Sequence, residues 1–173
     1  MVVAGAIRHA DPTLVLVLTG VVIGALAGAA TSLLKVLADP YDQLPAITFW
    51  LLGSLAAVTD GDVLPALPAV LLGLVPLVLL RWRINVLGMG DEEARALGIE
   101  ARRLRLLVIV AATLVTASVT ALAGVVGWVG LVIPHIARML TGPGFGRLLP
   151  AAALIGAGYL LIVDTLARTI AET

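Results

Sequence analysis

An all-α, polytopic helical membrane bundle is the fold class this sequence predicts, and three observations predict it. The 173 residues are 61% hydrophobic and only 13% charged, with a mean hydropathy of +1.12. A soluble domain carries roughly a quarter charged residues, because its surface must be one that water accepts. This chain is long enough to bury a core, yet so much apolar surface would still face solvent. Lipid is the consistent solvent, and it admits only helices or a closed barrel. The apolar runs are continuous and approach the ~20 residues a helix needs to cross ~30 Å of hydrocarbon. Barrel strands would instead alternate in polarity over runs of about ten residues. Finally, the charge is gathered: GDEEARALGIEARRLR, residues 90–105, holds eight of the charged residues, of which the chain has 11 basic and 11 acidic.

About five crossings are expected, with a short interfacial helix and a short charged helix between them. The first crossing, Thr13 to Leu37, is rich in Gly, Ala and Ser, which let helices approach closely in a membrane. The stretch YDQLPAITFWLLGSLAAV is only partly apolar and predicts the short helix, half sunk in the bundle or at the interface. The second crossing, Val63 to Trp82, contains Pro65 and Pro68, which suit a helix start, and Pro76, which predicts a kink. The third, Leu106 to about Val126, carries Thr and Ser on a face expected to meet other helices. The fourth, Trp128 to Leu140, is short for a crossing and contains Pro134 and His135. The fifth, Leu148 to Ile162, turns polar toward Asp164 and Arg168. No linker or repeat divides the chain, so residues 1–173 read as one membrane domain.

Basic residues set the orientation. If the segments alternate, one side receives Arg8, Arg81, Arg83, Arg95, Arg102, Arg103, Arg105, Arg138 and Arg147. The other receives Lys35 and Arg168 with Asp39, Asp42, Asp60, Asp62 and Asp164. The arginine side is therefore expected to be cytoplasmic, provided the short fourth segment crosses. The net charge of zero and pI of 6.7 give nucleic acid nothing to recognise. The absence of cysteine excludes disulfides and thiolate metal sites. MVVAGAIRHADPT lacks the basic stretch and long apolar run of a signal peptide.

Residues 90–105 could be a solvated loop whose arginines obey the charge rule. Three features favour a short helix. Asp91, Glu92 and Glu93 sit where a helix N-terminus favours negative charge, just after Gly90. Ala94, Leu97 and Ala101 recur at spacings of three and four as an apolar strip. Gly98 permits a turn before the arginines begin. Such a helix suits a partner's groove and equally suits lying flat on lipid; spacing does not separate the two.

The chain also resembles a known family. GWVGLVIPHIARMLTGPGFGRLLPAAALIGAGYLLIVDTLAR contains a Gly-Leu-x-x-Pro-His-x-x-Arg run, met by Gly130, Leu131, Pro134, His135 and Arg138. LLPAAALIGA and a terminal Asp-x-x-x-Arg, Asp164 and Arg168, follow in order. With TGVVIGALAGAATSLL, DPYDQLPAITFWLLGSL and the charged loop, these resemble the permeases of type II ABC importers for iron(III)-siderophores, haem and vitamin B12. The resemblance implies a bacterial or archaeal cytoplasmic-membrane permease with no cofactor or resident metal, partnered by an ATPase subunit, an extracytoplasmic substrate-binding protein and a second permease copy. It implies that residues 90–98, within a coupling loop 88–105, dock in a cleft of the ATPase. Ala94 and Leu97 would then be the packing contacts, Asp91, Glu92 and Arg95 the rim, and Gly90 and Gly98 the limits of the helix. It matches Arg168 to an arginine that meets an acidic knob on the binding protein; the alternative is an Asp164–Arg168 pair capping a helix end. Members are about twice this length, with about ten helices, so the chain corresponds to their second half, short of a final helix.

A metal-ligand or proton-relay role for His135 lacks a second His or Cys at ligand spacing. The sequence instead suggests that Pro134 and His135 break or cap a short helix, with His135 hydrogen-bonded near the cytoplasmic face. Trp50, Trp82 and Trp128 read as interfacial anchors. The spans hold no convincing acid–base pair of the kind an ion-coupled carrier needs, and no nucleophile–base or metal constellation suggests an enzyme. A non-transporting membrane scaffold with the same fold is the remaining alternative to a permease.

Overall fold

The computed structural model describes residues 12–55 and 58–171, and the described residues fold into helices joined by short connections. In order these are α1 (Pro12–Leu37), α2 (Gln43–Leu52), α3 (Asp60–Leu79), α4 (Arg81–Leu87), α5 (Asp91–Ala96), α6 (Ala101–Ala123), α7 (Val129–Thr141) and α8 (Phe145–Ala171). The chain packs as two compact units, residues 1–48 and 49–173, divided within α2.

In the first unit α1 is exposed along most of its length, and Gly20, Gly24 and Gly28 have nothing within 4 Å of where a side chain would begin. Thr19, Thr31 and Ser32 donate their hydroxyls to the carbonyls of Val15, Ala27 and Gly28 four residues earlier, which satisfies them inside the helix. Asp39 Oδ1 then accepts the N–H groups of Tyr41 and Asp42, making the turn that leads into α2.

The second unit is organised by α3 and α6, which pack side by side. At Gly73 the helices come so close that a Cβ there would lie 2.6 Å from both the Ala111 carbonyl and Val115 Cγ2. Small residues are what make such an approach possible. Thr59 starts α3 by donating its N–H and its hydroxyl to Asp62 Oδ2, at 3.0 and 2.6 Å. The helix thus begins three residues before the Val63 expected, and Pro65, Pro68 and Pro76 all lie inside it. It ends at Leu79, and α4 follows as a separate helix where a continuation to Trp82 was expected. Thr116 and Ser118 of α6 bond the carbonyls of Ala112 and Leu114 in their own helix.

Among the described residues, four helices are long and apolar enough to cross a membrane, Leu14–Leu37, Asp60–Leu79, Ala101–Ala123 and Phe145–Ile170. The fourth expected crossing, α7, has 13 residues, which at ~1.5 Å per residue rises about 20 Å, short of the hydrocarbon. It nevertheless bridges the two ends of the unit. The C-terminal end of α6 is clasped by residues 50–54: Trp50 Nε1 and Ser54 N donate to the carbonyls of Ala121 and Ala123. The end of α7 lies beside α4, at the opposite end of α3. Residues 124–127, which have no regular structure, supply the remaining length. Gly124 makes the clasp possible. Its φ is +72°, and a Cβ would collide with the Trp50 carbonyl oxygen.

Pro134 does not break α7, which runs on to Thr141. Proline there removes one hydrogen bond, to the carbonyl of Gly130 four residues back, and the other turns hold the helix. α7 packs against α8, with Ile133 and Ala137 buried one turn apart. The latter helix is longer than expected at both ends and includes Pro150, Asp164 and Arg168.

Burial is sparse, as lipid-facing helices require. Leu and Val side chains are exposed along every long helix. In water such a surface would be untenable; in hydrocarbon it is the expected one.

Candidate functional site

A cluster of buried side chains lies under the charged stretch. Val86 of α4, Ala94 of α5, Ile99, and Ala101 and Leu104 of α6 are buried together, with Leu80, Leu87 and Val108 packed against them. Ala94 is completely buried. That corrects one expectation. Ala94 faces its own chain and is the foot of α5, not a contact offered to a partner. Ala101 is buried with it, so the strip of Ala94, Leu97 and Ala101 does not form one outward face. Leu97 alone of the three is turned out, 57% exposed.

The ends of α5 explain this split. Ala94 N–H donates to the Gly90 carbonyl at 3.1 Å and opens the helix. At the other end Gly98 N–H donates to the Arg95 carbonyl at 2.9 Å, and Ile99 N–H to the Ala94 carbonyl at 2.8 Å. These two bonds around a glycine at φ +71° form a Schellman closure, in which the residue after the glycine packs back onto the last turn. Here that contact is Ile99 on Ala94. The closure drives Ile99 inward and leaves Leu97 at the tip.

Electrostatics hold the helix to its neighbour. Arg105 of α6 donates from Nη2 to Asp91 Oδ1 at 2.7 Å, with both side chains a little under half exposed. Screening at that exposure leaves such a pair worth under about 1 kcal/mol, so it sets the register of α5 more than it stabilises the fold. Glu92, Glu93 and Arg95 point into solvent. Gly98 makes the expected turn, and the arginines beyond it lie not in the loop but inside α6, whose first turns contain Arg102, Arg103 and Arg105. Burial of Ala101 and Leu104 pulls them into the helix.

Elsewhere the arginine-rich end is tied together by a contact no sequence pattern announces. Asn85 of α4 accepts, through Oδ1, the N–H of Phe145 at 2.7 Å. It caps α8 from sixty residues away, doing the work that Ser, Thr or Asp usually does locally. Arg138, on α7, lines a cavity of about 510 Å³ with Ile84, Asn85, Met89, Phe145 and Leu148. His135, on the same helix, is exposed. Among the described residues, no group of three or more His, Asp or Glu side chains gathers into a metal site.

At the far end of α8, Arg168 Nε donates to Asp164 Oδ2 at 2.7 Å, one turn apart. Arg168 remains 53% exposed. The pair supports the capping alternative, while the exposure keeps the guanidinium within reach of another molecule. Asp60 and Asp62 start α3 at the opposite end from α4, so within this unit the two ends carry opposite charge. Arg8 lies outside the described residues, and Lys35 belongs to the other unit.

A family model for the FecCD transport family matches residues 1–173. The chain belongs to that family. Among FecCD relatives, the molybdate import system permease protein MolB of Haemophilus influenzae is 41% identical over 159 residues, 92% of this chain and 47% of its own. A probable iron chelatin transport system permease protein of Helicobacter pylori is 42% identical over 160 residues, 92% of this chain and 49% of its own. A solved ABC transporter in an inward-facing conformation, described as of the metal-chelate type, superposes with a TM-score of 0.87 at 40% identity. That match covers 94% of this chain and 53% of the other. This FecCD chain therefore spans about half the length of the relatives it matches. It is a multi-pass, all-helical membrane protein.

Proposed function

We propose that this chain forms part of the permease subunit of an ABC importer, with α5 as the point where a separate ATPase subunit docks. The carrying observation is the construction of α5. Its inner side is locked to the bundle through Ala94, Ile99 and the Asp91–Arg105 pair, while Leu97 stands exposed at its tip. A helix built in this way transmits a push on Leu97 to α4 and α6 with little slack. Gly90 and Gly98 bound it, and Glu92 and Arg95 join Asp91 as the polar rim around Leu97. ATP hydrolysis resides in the partner, and this chain supplies the path through the membrane.

The arginine-rich end of α3, α6, α7 and α8 lies on the cytoplasmic side by the charge rule. That places Asp164 and Arg168 outside, where Arg168 receives the acidic surface of a substrate-binding protein. The membrane is the bacterial or archaeal cytoplasmic one. A second permease copy completes the pathway, and the bare glycine face of α1 suits close packing against another helix. The cargo is a metal chelate such as an iron-siderophore, haem or cobalamin, or an oxyanion such as molybdate.

Co-purification from native membranes, followed by mass spectrometry, tests this reading. An ABC-type ATPase, an extracytoplasmic binding protein and any complementary permease segment are expected together. Recovery of the chain from native membranes without an ATPase overturns it.

A further inference from the structure

We propose that the arginine-rich end carries a binding site for an anionic phospholipid, its headgroup beside α4 and an acyl chain in the groove between α3 and α8. Two adjoining cavities carry the inference. The first, about 570 Å³, has Arg81 and Asn85 on one wall and Thr141, Pro143 and Arg147 on the other. The second, about 320 Å³, is lined by Leu74, Val78, Leu149, Pro150 and Ala153 and shares Arg81 and Gly146 with the first. Gly146 stands at the junction, where Arg81 Cδ lies 3.4 Å from the position a Cβ would take.

Order along the helices gives the arrangement a direction. Val78 and Leu74 lie one turn apart on α3, and Leu149 and Ala153 one turn apart on α8. Both pairs lead from the arginines into the apolar spans Asp60–Leu79 and Phe145–Ile170. A charged mouth opening into an apolar groove at membrane depth matches a phospholipid, and basic pockets between helices on the cytoplasmic side are where anionic headgroups bind. Among the described residues, Arg81, Arg138 and Arg147 have no carboxylate within ion-pairing distance. By contrast, Arg103 and Arg105 at the same end are paired with Glu100 and Asp91. Arg83, Arg95 and Arg102 are likewise without a carboxylate at that distance, but only Arg81 and Arg147 line the two cavities. A free phosphate would leave the groove unused. A water-soluble subunit could meet the arginines, but it would not reach the groove, which lies within the spans. The site does not depend on α5 or on transport.

The test uses the full chain in nanodiscs of mixed phosphatidylglycerol and phosphatidylcholine, with retained lipid counted by native mass spectrometry after extraction. Wild type is expected to retain phosphatidylglycerol selectively. A contact between a basic residue and an anionic lipid surface contributes roughly fivefold, so Arg81→Gln with Arg147→Gln should weaken retention roughly 25-fold. Ala153→Phe, which fills the groove and leaves the charge alone, should also displace the lipid. Arg83→Gln with Arg102→Gln should change nothing. If the double variant fails to give a monodisperse helical protein, Arg147→Gln alone should show the roughly fivefold effect. Equal retention of the two lipids overturns the proposal. So does sensitivity to the arginines without sensitivity to Ala153→Phe, which indicates only a headgroup-sized anion. Loss of the lipid when an ATPase is bound would assign the cleft to that protein and equally overturn the proposal.

Discussion

Removing the side chain of Leu97 should weaken capture of the ATPase without loosening the permease. Complete burial of a leucine contributes ~1.5–3 kcal/mol. Leu97 has 57% of its surface still to bury, so docking that covers it gains about 0.9–1.7 kcal/mol from this residue. Leu97→Ala should accordingly weaken association about four- to sixteenfold. Leu97→Asp should abolish it, because a carboxylate would enter the partner's groove unpaired. Exposed substitutions usually change fold stability by no more than about 0.5 kcal/mol, so thermal unfolding of either variant should match wild type. Ala94→Leu provides the contrast. Ala94 has no room, and overpacking should cost about 1–3 kcal/mol, lowering the unfolding temperature and freeing α5. The assay is the ATPase recovered per permease chain from native membranes by quantitative mass spectrometry, beside a thermal melt of each variant. Wild-type recovery with Leu97→Asp refutes the docking of α5.

Three further outcomes follow from other contacts. Gly124→Ala places a methyl against the Trp50 carbonyl at a φ of +72°, so it should destabilise by about 1–3 kcal/mol, read as a lower melting temperature. Asn85→Ala leaves the Phe145 N–H without its acceptor, and should cost about 0.5–2 kcal/mol with faster hydrogen exchange in the first turn of α8. Arg168→Glu breaks an exposed i,i+4 pair worth only ~0.3–0.5 kcal/mol, so folding should be nearly unchanged while capture of the binding protein weakens at least tenfold; unchanged capture assigns Arg168 to helix capping alone.

The solvent of this chain was legible from its residues. Continuous apolar runs exclude an aqueous surface, and no tertiary arrangement reverses that, so the helices and their approximate places were readable. Their ends were less so. Arg102, Arg103 and Arg105 read as loop because charge marks boundaries locally, yet burial of Ala101 and Leu104 against Val86 draws them into α6. Pro134 read as a break because one lost hydrogen bond is visible in sequence and the surviving turns are not. The short α5 and its glycines were also readable, since capping and closure are local events.

Which side of α5 faces inward was a tertiary decision. Ala94 and Leu97 have equal claim to a partner by periodicity, and only the packing of Ile99, Ala101 and Leu104 assigns one to the core and the other to the surface. The same holds for Asn85, whose acceptor meets Phe145 only after the chain has crossed and returned. Sequence by itself determined where lipid must be, because hydrophobicity is a property each residue carries alone. The three-dimensional structure decided which charged and apolar side chains remain available, because availability depends on neighbours distant in the chain.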